Sequence, residues 1–167
     1  MNLFILRHGL AVDHGTPGFS DPDRPLTPEG KSKLRDIAAA MIELELDFDL
    51  ILSSPYKRAR QTAEIVAEKL KAQKKLEFTE ALIPQGSTGE LINLLKQLDS
   101  DAENVLLVGH EPYLSELISL LICGERRSVA VLKKGGFAKL AVTSLKEGRC
   151  AELEWLLTPK QMVLMAG

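Results

Sequence analysis

Two histidines and two arginines in this chain stand where phosphoryl chemistry could be done. Arg7, His8 and Gly9 follow the short apolar run Asn2 to Leu6. Arg58 comes soon after Ser54-Pro55, beyond a second apolar run from Asp49 to Ser53. His110 follows Gly109 at the end of a third run, Asn104 to Val108. Arginine presents a fixed fork of donors that matches two phosphate oxygens. An imidazole can attack phosphorus through one ring nitrogen while a hydrogen bond holds the other. Gly9 would let the backbone come close to a ligand. A helix opening near Pro55 to Arg58 would add free backbone N–H groups and a favourable dipole. No carboxylate is forced into this set.

Each residue alone has a plainer reading. Arg58 could be a solvated helix arginine, and His110 a hydrogen-bonded structural histidine. His14 lies in a polar loop and reads as surface. The clusters gain weight jointly if one topology brings them together.

Rival chemistries fit less well. The chain has three histidines, at positions 8, 14 and 110, and no HxH, HExxH or Asp-rich ligand spacing. Arginines flanking the site would repel a divalent cation. A GxSxG elbow, a P-loop and a GxGxxG motif are absent from the sequence. The expectation is catalysis without a metal or cofactor.

The elements that must position these residues alternate along the chain. Asn2 to Leu6 reads as a buried strand, and residues 10 to 26 as a loop rich in Gly, Pro and Asp. Thr27 caps a helix with Pro28 at its first position, running to about Glu45, with Leu34, Ile37, Ala38, Met41 and Ile42 on one face. Asp49 to Ser53 is a strand, followed by a helix to about Lys71 with Ala59, Ala63, Val66 and Leu70 inward. A short strand at Leu76 to Thr79, a loop at Gly86 to Gly89 and a helix from Glu90 to Leu98 come next. Asn104 to Val108 is a strand, and Pro112 opens a helix carrying Leu114, Leu117, Ile118 and Leu121. Gly135-Gly136 breaks the chain before the strand Phe137 to Thr143. A last strand places Ala151, Leu153, Trp155 and Leu157 in alternation. The tail Lys160 to Gly167 gives no reading beyond packing. This order predicts a three-layer α/β/α sandwich, with a mostly parallel sheet covered on both faces. Ligands of open α/β sheets bind beyond the carboxyl ends of the strands, where all the clusters fall.

Composition bounds the rest. The 167 residues suit a single domain, 1–167, with a sizeable core. A formal net charge of −2 argues against a nucleic-acid partner, which wants a basic face. Cys123 and Cys150 form no framework and read as buried or half-buried thiols in a reducing cytosol. The apolar run at the start is too short for a signal peptide, and no segment has the length of a membrane span. A cytoplasmic protein without membrane partners is expected.

Four segments together resemble the histidine phosphatase (phosphoglycerate-mutase-like) superfamily. They are Leu6-Arg7-His8-Gly9, Arg24-Pro25-Leu26-Thr27-Pro28-Glu29-Gly30, the run from Ser53 through Arg58 to Ala63, and Val108-Gly109-His110-Glu111-Pro112. The small size and the GHxP form are most similar to its SixA-like branch, the phosphohistidine phosphatases. The resemblance implies that His8 is the nucleophile and becomes phosphorylated. It implies that Arg7 and Arg58 bind the phosphoryl oxygens and that His110 donates to them in the transition state.

One departure from the family bears on substrate. Many relatives carry a Glu or Asp after the third strand as general acid, but Ala81 to Gly86 contains none, and Glu80 stands out of register. An alkoxide leaving group needs a proton, whereas a protonated imidazole leaves neutral. The short stretch between Leu82 and Asn104 also leaves no room for a large lid. The expected substrate is phosphohistidine on a signalling protein, such as a histidine-phosphotransfer domain. The alternatives are a phosphatase for a small phosphorylated metabolite and a non-catalytic phosphate-binding module.

Overall fold

The computed structural model describes residues 1–98, 102–127 and 130–167. Its strands are β1 (Asn2–Arg7), β2 (Leu50–Ser53), β3 (Leu76–Phe78), β4 (Asn104–Gly109), β5 (Phe137–Val142) and β6 (Ala151–Leu157). They form one sheet in the order β3-β2-β4-β1-β5-β6. β3, β2, β4 and β1 run parallel, and β5 and β6 continue the sheet antiparallel. The helices are α1 (Pro28–Glu43), α2 (Lys57–Lys69), α3 (Thr88–Lys96), α4 (Tyr113–Cys123) and α5 (Pro159–Met165). One core lies between the sheet and α3 and α4, around Ile5, Leu107, Leu114 and Ile118. The other lies beneath α1, α2 and α5, around Phe4, Leu34, Ile51 and Phe137. The fold is thus the expected three-layer α/β/α arrangement with a mostly parallel sheet. The central strands β1, β2 and β4 are buried on both faces, which is why they read as unbroken apolar runs.

Several local expectations need correction. Ile42 was expected on the inner face of α1 but is 45% exposed. The helix stops at Glu43 and the chain reverses through Glu45 at φ 54°; Met41 before it and Leu44 after it take up the core contacts, and Ile42 is left at the solvent edge. α3 begins at Thr88, inside the expected loop, because Ser87 caps it by accepting from the Glu90 N–H at 3.2 Å. The alternation of Ala151, Leu153, Trp155 and Leu157 does not mark one face. A register shift opposite Lys139 and Leu140 makes Glu154 the extra residue, so Ala151 and Leu153 share a face with Val142 and Leu140, while Trp155 and Leu157 join Phe4 and Phe137 on the other. Leu153 ends 40% exposed. The tail folds into α5, closed by a capping box between Thr158 and Gln161, and Met162 is fully buried against the α1 side. Cys150 is buried, but Cys123 is exposed at the end of α4, where the chain turns through Gly124 at φ 83°. No helix among the described residues is long and apolar enough to cross a membrane.

Candidate active site

The sheet order puts β2, β4 and β1 side by side, so their carboxyl ends deliver Ser54, His110 and Arg7-His8 to one place. The ends are tied together: the His8 N–H donates to Gly109 O at 3.1 Å, and the Ser54 N–H to Val108 O at 3.0 Å. α2 returns directly from β2 and brings Arg58 in on its first turn. The rings of His8 and His110 lie 5.2 Å apart between centroids, tilted by 52°. Arg7, His8, Arg58 and His110 are therefore neighbours, as the strand ends suggested.

Each side chain is held. His8 Nδ1 lies 2.7 Å from Gly9 O, which can only accept, so Nδ1 carries the ring proton and Nε2 keeps its lone pair. Arg7 donates to Leu132 O at 3.0 Å from the loop that precedes β5. Arg58 donates to Asp21 O at 2.8 Å and pairs with the Asp21 carboxylate at 3.4 Å. His110 Nε2 lies 2.8 Å from Ser54 Oγ. Beneath them, Thr62 donates to Arg58 O at 2.7 Å and accepts the Gly9 N–H at 3.1 Å, joining α2 to the end of β1.

Burial sets the electrostatics. His8, Arg58 and His110 are each no more than 5% exposed. Burial holds the His8 imidazole well below its ordinary pKa; the Gly9 carbonyl opposes this, and His110, Arg58 and Arg7 add to it. Burial, then Arg58, lowers His110 to about 3. Both rings are neutral near pH 7, and both guanidinium groups are lowered by burial yet remain charged. Asp21 is pushed up by burial, but its bonds and charge contacts with Arg24 and Arg58 outweigh this, and the net shift is downward. The centre therefore combines neutral imidazoles with cations, a setting for an anion.

Arg7 Nε, Arg58 Nε and His110 Nδ1 are buried without a partner among the described residues. Orphaned buried polar atoms are costly unless something occupies them. They come from three different segments that meet at one sheet edge, and the oxygens of a tetrahedral anion would satisfy them.

One expectation about the site does not hold, that of free N–H groups at the start of α2, and the structure adds partners that the sequence did not name. A carboxylate does enter: Asp21, from the loop before α1, contacts Arg58, and it also binds Arg24 at 2.8 Å. Its signal in the sequence was the three-residue spacing to Arg24. The N–H groups of Tyr56 and Lys57 are taken by Ser54 Oγ and Pro22 O, so they are not free for a ligand. A Cβ on Gly9 would meet the buried Leu34 side chain at 2.6 Å, so packing against α1 favours glycine here as well. Arg24 is bound to Asp21 and to Val12 O. His14 is exposed, 4.0 Å from Asp21. Ser54 and Thr62 lay within a recognised segment, but their partners are set by the tertiary structure. Among the described residues, no three His, Cys, Asp or Glu side chains converge as a metal ion would need.

Comparison with known proteins agrees with this fold. The histidine phosphatase superfamily (branch 1) matches residues 3–83. An uncharacterized protein of a Picosynechococcus strain is 34% identical over 98% of this chain and 99% of its own length. Phosphohistidine phosphatase SixA of Escherichia coli is 29% identical over 95% of this chain and 94% of its own length. A solved structure of the protein histidine phosphatase SixA complexed with tungstate superposes with a TM-score of 0.83 at 27% identity, covering 96% of this chain and 98% of that one.

Proposed function

The chain belongs to the histidine phosphatase superfamily and is a phosphatase, and from that premise we propose that it hydrolyses phosphohistidine on a signalling protein through a covalent phospho-His8 intermediate. The observation that carries this reading is the set of buried polar atoms, Arg7 Nε, Arg58 Nε and His110 Nδ1, left without partners among the described residues around a neutral His8, an anion seat built against a nucleophile. In the first step His8 Nε2 attacks phosphorus and the bond to the substrate imidazole breaks. The substrate ring leaves neutral, because it enters protonated. Arg7 and Arg58 grip the oxygens, and His110 Nδ1 donates to them as charge develops. Water then attacks phospho-His8 and releases inorganic phosphate, with positioning and electrostatics supplying the catalysis.

The choice of phosphohistidine rests on the state of the nearby acids. Asp21 is held as an anion by Arg24 and Arg58 and has no proton to give. Glu111, beside Arg7, has both carboxylate oxygens bound by Ser115. Glu80 is exposed in the turn after β3, and Ala81 and Leu82 behind it are buried apolar residues. An alkoxide would leave without help here. The name of the Escherichia coli relative points to the same substrate.

The test is a substrate panel that pairs a phosphorylated histidine-phosphotransfer domain with an alkyl phosphate. The expected result is faster turnover of the phosphoprotein and acid-labile phosphate trapped on His8. His8→Ala should abolish turnover and weaken phosphate binding modestly, since the arginines remain. Faster turnover of the alkyl phosphate would move the assignment to small phosphomonoesters. Full activity in His8→Ala would end the covalent mechanism.

A further inference from the structure

Ser54 is fully buried at the end of β2, and its hydroxyl has two partners among the described residues. One is the Tyr56 N–H, 3.2 Å away, which can only donate. The other is His110 Nε2 at 2.8 Å. A hydroxyl carries one hydrogen, and a buried one without an acceptor is disfavoured. Among the described residues, the only acceptor on offer is the ring nitrogen. The serine therefore donates to Nε2, and the ring proton of a neutral His110 must sit on Nδ1.

The opposite tautomer makes two defects at once. If Nε2 carried the proton and donated to Ser54, the serine hydrogen would have no acceptor. Nδ1, which has no partner among the described residues, would then present a lone pair beside His8. That lone pair would face phosphoryl oxygens and repel them. The Tyr56 N–H also polarises the serine hydroxyl and strengthens its donation, since hydrogen bonds in a chain reinforce one another.

We propose that Ser54 is a positioning residue that fixes the tautomer of His110, keeping the proton on Nδ1 so that the ring can donate to the transferring phosphoryl group. The proposal rests on the phosphatase reading of this site. Ser54 touches no substrate and acts through the imidazole, as a group that orients another's ring does. It completes a symmetric arrangement: Gly9 O holds the proton of His8 on Nδ1 and frees Nε2 to attack, while Ser54 holds the proton of His110 on Nδ1 to stabilise charge.

The experiment reads tautomer and rate separately. Long-range proton–nitrogen correlation spectra of the nitrogen-15-labelled protein near pH 7, assigned with His110→Gln, should show Nδ1 of His110 protonated and Nε2 bare. In Ser54→Ala the His110 signals should move toward a mixture of tautomers while those of His8 stay in place. Its kcat on a phosphorylated histidine-phosphotransfer domain should fall about 10- to 100-fold, the range for partners that orient a functional imidazole. Its KM should stay within about threefold, because the arginines still bind the phosphoryl group. Ser54→Thr, which restores the hydroxyl, should recover most of the lost rate. A protonated Nε2 in the unaltered protein, or an unchanged kcat in Ser54→Ala, would overturn the proposal. If Ser54→Ala does not fold, the spectrum of the unaltered protein decides alone. If no phosphohistidine substrate is turned over, the functional reading fails, but the resting tautomer still tests the role of Ser54.

Discussion

Mild acid should destabilise this protein before its ordinary carboxylates begin to protonate. His110 has a pKa of about 3 in the folded protein, against an ordinary value of 6.5. In the unfolded chain the ring gains a proton as the pH drops through its ordinary value, and in the folded protein it cannot. The unfolded state then binds more protons, so stability falls with falling pH, and the loss continues until the pH reaches the folded value. Between pH 7 and pH 5 the linkage relation gives a loss of about 2 kcal/mol from His110. His8 is shifted in the same direction, by burial first, and adds a loss of the same sign. A total stability of roughly 5–15 kcal/mol makes this a large fraction. Urea denaturation at pH 7, 6 and 5 would measure it as a fall in midpoint at constant slope. His110→Gln should remove about 2 kcal/mol of the pH 7 to pH 5 difference, because the unfolded variant has no ring there to charge. A stability that is flat between pH 7 and pH 5, or an unchanged pH dependence in the His8→Gln, His110→Gln double variant, would refute the reasoning.

Three substitutions test the scaffold around the site. Asp21→Asn leaves the Arg58 guanidinium without its counter-charge; with Asp21 at 32% side-chain exposure, solvent screens part of the loss, and the expected cost is about 1–2 kcal/mol, read as a fall in Tm. Thr62→Val keeps the shape but strips the Gly9 N–H of its buried acceptor, which should cost about 1–3 kcal/mol in denaturant unfolding. Gly30→Ala would normally stabilise a helix by up to about 1 kcal/mol. Here the new Cβ would run into the carbonyl oxygen of Leu10, so the clash with backbone should win, and a urea midpoint at or above that of the unaltered protein would contradict this.

Much of the site was legible because chemistry and topology share a sequence pattern. β1, β2 and β4 are buried on both faces, so they stand out as unbroken apolar runs, and polar residues at their ends mark the ligand edge. His8, Arg58 and His110 could be named for that reason, and Thr27 with Pro28 gave the start of α1. The sequence alone pointed to the residues that could do chemistry and to where the central strands end. Only the tertiary structure decided which partners hold those residues. Asp21 reaches Arg58 across 37 positions and Ser54 reaches His110 across 56, and no local periodicity encodes such distances. The same holds for the split face of β6, where one extra residue opposite β5 redirects the side chains that follow. Hydrogen-bond partners and strand register depend on how distant segments pack, so they emerge when the chain closes on itself.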